Sequence, residues 1–264
     1  MWTGTIGAHS SPSTAATGGQ LRLARWIFTD RRGGVSPAPF DSLNVGDHVG
    51  DDPDAVACNR QVVLDAIGSS TDRLVFMQAQ HGSTVRRVVN EAQSNNIDVV
   101  AHCDGLVTTD VATAIAALAA DCVPIVLADI QHGVVGVVHC GWRGVVSGVA
   151  IAALSQMREL GAAHSAITAV VGPAICGACY PVDSGRASSV AAALPREARG
   201  KAVWSDAADQ WHVDVRKAAI SQLLSANIAV EVVGGCTFTA DTLFSYRRDG
   251  LTGRQSAAIV LEVA

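Results

Sequence analysis

Two short apolar runs with a polar turn between them are the clearest pattern in the chain. Residues 123–127 and 134–138 are rich in β-branched side chains, and Gln131, His132 and Gly133 separate them. Runs of this length and composition predict two antiparallel strands joined as a hairpin. Cys122 precedes the first strand and His139 follows the second, so we expect the thiol and the imidazole to lie side by side.

The same kind of pattern predicts further elements along the chain. Strands are predicted at residues 74–77, 85–89, 104–108, 114–118, 167–171, 230–233 and 257–261. Helices are predicted at residues 54–67, 146–160, 184–194 and 214–226. Their irregular alternation is typical of an α+β domain with mixed sheets. In the first helix the apolar positions form one face, and Asn59 and Arg60 are predicted to lie on other faces.

The N-terminal residues 1–20 differ in composition from the rest. They are dominated by Ser, Thr, Gly and Ala, and such a segment buries too little apolar surface to offset the entropy of ordering. We therefore predict a disordered extension over residues 1–20 and one domain over residues 21–264, without an internal boundary.

Composition and charge narrow the classes of function. The chain has 264 residues, 49% of them hydrophobic, and a formal net charge of -5, which argues against nucleic acid or an anionic membrane as a partner. The sequence contains neither a transmembrane helix nor a signal peptide pattern. The seven cysteines are odd in number and scattered, which favours reduced thiols and a cytoplasmic protein.

Three potential metal ligands stand at predicted strand ends. His81, Cys122 and His139 each begin or end an apolar strand beside a turn. Thiolate and imidazole are ligands that zinc prefers, and three protein ligands leave a fourth position open, as in catalytic zinc sites. Two alternatives stay open: a cysteine hydrolase with Cys122 as nucleophile and His139 as base, or histidines that are only structural.

A separate pair, Cys176 and Cys179, has the spacing of a redox motif or of half a zinc site. No second pair of this kind accompanies it, and Tyr180 and Pro181 follow where a redox motif would continue into a helix. A redox function is therefore not favoured.

The chain resembles the multicopper polyphenol oxidoreductase family, also called the laccase-domain or YfiH-like family, from about residue 25 to residue 261. The resemblance depends on motifs that occur in the family's order: Arg32-Gly33-Gly34-Val35-Ser36, Leu43-Asn44-Val45-Gly46, Asn59-Arg60, His81-Gly82, Asp104-Gly105-Leu106-Val107-Thr108, Asp121-Cys122-Val123-Pro124, His139-Cys140-Gly141-Trp142-Arg143-Gly144, Gly172-Pro173-Ala174-Ile175, Cys236-Thr237 and the segment 243–254.

Members of this family are now regarded as purine nucleoside phosphorylases. The resemblance implies a single α/β/β/α sandwich, zinc held by His81, Cys122 and His139, and purine nucleosides and phosphate as substrates. It also implies phosphorolysis of adenosine, inosine, guanosine and methylthioadenosine, together with deamination of adenosine. The chain departs from the family pattern at Ala79, usually Gln, at Cys140, usually Ala, and at Pro181, usually Glu. None of these changes removes a ligand.

Phosphorolysis requires a group that holds phosphate. Arg60 is the leading candidate, because a guanidinium matches phosphate oxygens with two hydrogen bonds. Arg143 is the second candidate, and Asn44 is a further possible hydrogen-bond donor to sugar or phosphate.

Other activities compete with this interpretation. Polyphenol oxidation requires more clustered histidines than the sequence offers, so copper is less favoured than zinc. A non-catalytic factor that scavenges nucleosides or controls the quality of cell-wall precursors is the remaining alternative.

Overall fold

The computed structural model describes residues 1–7, 22–68, 71–89 and 96–263. These residues form fifteen strands: β1 Trp2–Gly7, β2 Arg22–Phe28, β3 Arg73–Met77, β4 Val85–Arg87, β5 Ile97–Val100, β6 Gly105–Thr108, β7 Thr113–Ala119, β8 Val123–Asp129, β9 Val134–Cys140, β10 Thr168–Val171, β11 Pro181–Val182, β12 Val203–Ser205, β13 Trp211–Val213, β14 Ala229–Val232 and β15 Gln255–Val263. They also form seven helices: α1 Pro53–Ile67, α2 Trp142–Ser147, α3 Val149–Glu159, α4 Ser184–Ala192, α5 Arg199–Ala202, α6 Val215–Ser225 and α7 Tyr246–Asp249. None of these helices is long and apolar enough to cross a membrane.

Two six-stranded mixed sheets form the centre of the fold. One has the order β1-β2-β15-β7-β3-β5 and the other β14-β10-β8-β9-β6-β4. Apolar side chains from the facing surfaces, among them Phe28, Val126 and Ile259, form the core between the sheets. Helix α1 packs on the outer face of the first sheet, and helices α3 and α6 pack on the outer face of the second. The predicted single-domain α/β/β/α sandwich is confirmed.

The central hairpin is also confirmed. Strands β8 and β9 pair antiparallel, with Val123 opposite Cys140 and Pro124 opposite His139. Every residue of both strands is buried, because each strand lies inside its sheet and both sheet faces are covered. Cys122 therefore enters β8 next to the end of β9.

The prediction of disorder at the N-terminus is wrong for the residues that the structure describes there. Strand β1 pairs antiparallel with β2 along its whole length, from Trp2 opposite Phe28 to Gly7 opposite Leu23. Trp2 and Ile6 pack against the core between the sheets. Their alternation with exposed threonines is a strand pattern of period two, which the composition of the longer segment concealed. Residues 8–20 of the predicted extension lie outside the described residues.

Two predictions about helices need correction. The helix predicted at residues 146–160 is two helices, because Gly148 between α2 and α3 has a φ of 74°, in the left-handed region. In α1, Asn59 and Arg60 are buried together with the apolar face. Asn59 donates to the carbonyls of Ser42 and Asn44, so its burial is balanced by hydrogen bonds to the loop that precedes α1.

Candidate metal centre and active site

The three predicted ligands come together at one end of the central hairpin. The ligating atoms of His81, Cys122 and His139 all lie within 4.8 Å of one another. The two imidazole rings meet edge to face, with centroids 4.9 Å apart. His139 is buried, Cys122 is half-buried and His81 is exposed, so the group faces solvent on the side of His81. This arrangement could hold one metal ion.

Unfavourable backbone conformations at two residues direct the ligand side chains toward one another. His81 has a φ of 63° and Asp121, directly before Cys122, has a φ of 93°. Left-handed backbone is unfavourable for residues other than glycine and is retained where the surroundings enforce it. At Asp121 the carboxylate accepts hydrogen bonds from the hydroxyls of Thr237 and Ser245 and from the backbone amide of Arg247, at 2.6–2.7 Å. These contacts fix the turn that presents Cys122.

A fully buried carboxylate supports the two histidines. Oδ1 of Asp104 lies 3.0 Å from Nδ1 of His139, which leaves Nε2 of that ring for a metal. Asp104 also accepts the backbone amides of His81 at 2.8 Å and Gly82 at 2.7 Å. Carboxylates that accept the second ring N–H are the usual partners of metal-binding histidines. Sequence reasoning gave Asp104 no role in the site, because only the pairing of β6 with β9 places it beside His139.

Gly141 keeps the group open. A Cβ atom at this position would lie 3.0 Å from Sγ of Cys122 and 3.3 Å from Cδ2 of His81. Side chains larger than glycine would therefore crowd the space between the ligands.

The charges of this group favour a thiolate. Burial raises the pKa of the Cys122 thiol. The nearby His139 and His81 lower it by more than burial raises it, so the net shift is downward. Burial lowers the pKa of His139, but the Cys122 thiolate and Asp104 raise it, and the net shift is upward. A thiolate with imidazole neighbours is the donor set of zinc sites and also the pair found in cysteine nucleophiles.

The group lies in a cavity of about 530 Å³. Three aromatic side chains, Trp142, Tyr180 and Tyr246, contribute flat apolar faces to its wall. Four arginines also line it: Arg143, Arg186, Arg247 and Arg254. His48 also belongs to the polar part of the wall. A cavity with stacking faces, several guanidinium groups and a possible metal suits a ligand that is both aromatic and anionic.

Arg143 is the predicted phosphate ligand that does line this cavity. Its guanidinium stacks on Trp142, 5.0 Å from the ring centroid. In the parts of the chain that the structure describes, it has no carboxylate within ion-pair distance. Its positive charge is available to an anionic ligand.

Arg60 and Asn44 do not line the cavity, so their direct contact with phosphate is not supported. The buried Arg60 donates to the carbonyl of Val45, pairs with Asp47 at 3.0 Å and stacks on Phe76. Asn44 is fully buried.

Asn44 and Arg60 instead stabilise loops that contribute residues to the wall of the cavity. Asn44 Oδ1 accepts the backbone amides of Gly46 and of the cavity residue Arg254. Arg60, through Val45 and Asp47, fixes the loop that carries His48. The polar groups of Asn44 and Arg60 therefore serve to hold these loops in place.

Sequence reasoning missed several cavity residues, namely His48, Arg186, Arg247, Arg254 and the three aromatics. Tyr246, Arg247 and Arg254 belong to the segment 243–254, which is one of the motifs shared with the family but has no pattern that predicts a site. Arg186 lies on α4, far along the chain from the ligands, and donates to the hydroxyl of Tyr180 at 3.4 Å. No local pattern distinguishes it from an ordinary surface arginine.

The three departures from the family pattern have different surroundings. Ala79 lines the cavity, so a small side chain enlarges the space beside His81. Cys140 is fully buried in the core under α2. Pro181 is exposed in β11, and its carbonyl accepts a hydrogen bond from Arg247.

Comparisons with known proteins agree with this fold. Residues 25–262 match the family described as multi-copper polyphenol oxidoreductase laccase. A purine nucleoside phosphorylase of Corynebacterium glutamicum is 42% identical over 245 residues, which cover 91% of this chain and 95% of that protein. A purine nucleoside phosphorylase of Mycobacterium tuberculosis is 40% identical over 247 residues, with 93% and 95% coverage.

Solved structures give the same result. The crystal structure of YlmD from Geobacillus stearothermophilus has a TM-score of 0.81 and 34% identity, and the match covers 91% of this chain and 92% of that one. The Bacillus licheniformis protein YfiH has a TM-score of 0.83 and 31% identity, with 90% and 92% coverage. The chain therefore belongs to the multi-copper polyphenol oxidoreductase laccase family, whose relatives at about 40% identity are named purine nucleoside phosphorylases.

Proposed function

We propose that this protein is a zinc-dependent purine nucleoside phosphorylase that acts on adenosine, inosine, guanosine and methylthioadenosine. The observation that carries the proposal is the combination, in one cavity, of the His81, Cys122 and His139 group with aromatic side chains and the guanidinium of Arg143, which has no carboxylate partner among the described residues. The names of the relatives support the reaction class. As an enzyme of nucleoside metabolism it would act in the cytoplasm.

The three ligands fit zinc better than copper. One thiolate and two imidazoles are a common zinc donor set, and a fourth position remains for substrate or water. In the described parts of the chain, only one of the two groups of potential metal ligands contains histidine, whereas multicopper chemistry requires several histidine clusters. A bound zinc would supply a Lewis acid at the floor of the cavity.

Phosphorolysis forms a bond between a phosphate oxygen and the anomeric carbon of the ribose while the bond from that carbon to the purine nitrogen breaks. Arg143 is suited to hold the phosphate, because its guanidinium is exposed to the cavity and has no carboxylate partner in the described residues. Fixing phosphate beside the sugar converts an encounter of two molecules into a reaction within one complex.

Arg186 and Arg247 have a different task. Arg247 stacks on Tyr180, with its Cζ 4.6 Å from the ring centroid, and Arg186 stacks on Trp142 at 4.8 Å. These contacts orient the aromatic faces, against which a purine ring can stack. The aromatic side chains of the wall thereby favour a flat base. The small side chain of Ala79 leaves space for the base in the same cavity.

Deamination of adenosine is proposed as a side activity of the same cavity. In that reaction water replaces the amino group at the purine ring, and ammonia leaves. Phosphate takes no part, so the two reactions differ in their need for Arg143.

The test uses purified protein with adenosine, in the presence and absence of phosphate. We expect adenine and ribose 1-phosphate only when phosphate is present, and inosine and ammonia in both cases. Elemental analysis of the same preparation should find zinc, and Cys122→Ala should contain about one ion per chain less, the ion of the His81, Cys122 and His139 group. Absence of ribose 1-phosphate with every purine nucleoside would reject the phosphorylase.

A cysteine hydrolase is the second candidate, because the pKa of Cys122 is shifted downward beside His139. Zinc and a nucleophilic role compete for the same sulfur. Alkylation by iodoacetamide separates the two: zinc should protect Cys122 from the reagent, whereas a free nucleophile would react at once and activity would survive a chelator.

A further inference from the structure

A second group of cysteines lies outside the proposed zinc site. Cys176 precedes the short 3-10 turn Gly177–Cys179 that follows β10, Cys179 ends it, and Cys236 follows β14. Their sulfur atoms all lie within 4.8 Å of one another, all three residues are half-buried, and all three thiols are free. The fold thus supplies the third thiol that the sequence pattern around Cys176 lacked.

A backbone amide is aimed at the sulfur of Cys236. The amide of Cys176 donates to it over 3.2 Å. An N–H donor at this distance stabilises a thiolate.

We propose that Cys176, Cys179 and Cys236 form a second metal site, which binds one thiophilic ion of the zinc class. Three thiolates within reach of a single ion are a ligand set that selects zinc or other soft metals, with water in the fourth position. A redox pair needs two cysteines, whereas here a third thiol, which accepts the backbone amide of Cys176, joins them. The site is separate from the His81, Cys122 and His139 group and does not depend on the proposed function, but the zinc counts expected below include the ion proposed for that group.

The site would stabilise the wall of the substrate cavity. The loop that carries Cys176 is tied to the turn before Cys122, because the amide of Ile175 donates to the carbonyl of Asp121 at 3.0 Å. On the other side, Thr237, next to Cys236, donates to the carboxylate of Asp121. Tyr180, next to Cys179, lines the cavity. A metal that joins the two loops would hold Asp121 and Tyr180 in place.

Zinc binding to reduced apoprotein tests the proposal. Protein stripped with a chelator and kept in a thiol-free reductant is dialysed against zinc and analysed for metal. Wild type should bind about two zinc ions per chain, and Cys236→Ser and Cys179→Ser about one each. Cys58→Ser, which removes an exposed thiol outside both groups, is the control and should bind as wild type does.

A double variant distinguishes this site from the catalytic one. Cys122→Ala should retain one zinc ion, held by the three cysteines, and Cys122→Ala with Cys236→Ser should bind none. Circular dichroism checks that each variant is folded. If folded Cys236→Ser binds as much zinc as wild type, or if Cys122→Ala alone abolishes binding, the second site does not exist. A disulfide between Cys176 and Cys179 whose reduction restores no zinc binding would equally reject it, in favour of a redox pair.

Cobalt provides a second readout. Cobalt bound by thiolates gives charge-transfer absorption in the near ultraviolet, and its intensity grows with the number of thiolate ligands. Loss of most of this absorption in Cys236→Ser, with a smaller loss in Cys122→Ala, is the expected result. Equal spectra for wild type and Cys236→Ser would contradict the proposal.

Discussion

The carboxylate of Asp104 lies 3.0 Å from Nδ1 of His139 and is fully buried. The same carboxylate accepts the backbone amide of His81. One side chain therefore orients two of the three ligands, although it comes from the loop before β6 and does not line the cavity. Burial raises the pKa of Asp104, but His139 and the amides lower it below the ordinary value, so the group remains charged at neutral pH.

Replacing Asp104 by asparagine should weaken zinc binding. The amide retains the shape but removes the charge, and its NH2 group cannot accept the amides that now bind the second oxygen. Loss of such a supporting carboxylate typically lowers metal affinity about 10- to 100-fold. Competition with a chromogenic chelator measures the change in Kd.

Asp129→Asn is a matched control for this experiment. Asp129 is also fully buried, lies 2.7 Å from a histidine ring nitrogen and accepts a backbone amide, but it stands at the other end of β8. The Asp129→Asn substitution should lower the stability of the protein without a change in its affinity for zinc. Equal affinity of Asp104→Asn and wild type would mean that the His139 ring is held by packing alone.

Cys122→Ala should lose the metal of the catalytic site and all phosphorolysis together. Because thiolate and neutral imidazole bind zinc, protons compete with the metal, and affinity should fall as the pH drops below about 6. Elemental analysis and activity are measured on the same samples, with Cys58→Ser as the control. Full phosphorolysis by Cys122→Ala, with no metal at the catalytic site, would overturn the zinc-dependent mechanism.

Arg143→Ala should raise the phosphate concentration needed for half-maximal phosphorolysis and leave deamination almost unchanged. Removal of one charge-assisted hydrogen bond costs about 1.5–3 kcal/mol, which corresponds to roughly 10- to 100-fold. Initial rates over a range of phosphate concentrations, beside ammonia release without phosphate, separate the effects. If both reactions slow equally, Arg143 supports the cavity and does not contact phosphate.

Arg60→Ala should behave differently, because Arg60 is buried against Phe76 and holds Val45 and Asp47. We expect a loss of about 1–3 kcal/mol in the free energy of unfolding, as for other buried hydrogen-bonded groups that lose a partner. The phosphate requirement of the folded fraction should remain as in wild type. Denaturant unfolding and phosphate titration test this, and a specific rise in the phosphate requirement would restore Arg60 as a ligand.

The contrast between these arginines shows what the sequence could predict. The hairpin that carries Cys122 and His139 was predictable because apolar strands with polar ends determine both register and neighbours. The contact between Asp104 and His139 was not, since it depends on how β6 pairs with β9. Likewise, Arg60 and Arg143 have the same chemistry in the sequence. Only the fold distinguishes them: the packing of α1 turns Arg60 toward a loop, whereas Arg143 lies on α2 and lines the cavity.

Strand β1 gives the last prediction. Trp2 and Ile6 face the core between the sheets, whereas Thr3 and Thr5 are exposed. Trp2→Ala should therefore lower stability by about 1 kcal/mol, roughly half the contribution of a fully buried large apolar side chain. This corresponds to about 2–4 °C in melting temperature for a chain of this size. Thr3→Ala, on the opposite face of the same strand, should change it little, and zinc content should be the same in both variants. Equal melting temperatures for Trp2→Ala, Thr3→Ala and wild type would mean that β1 adds nothing to the stability of the sheet, and the edge would then be formed in effect by β2.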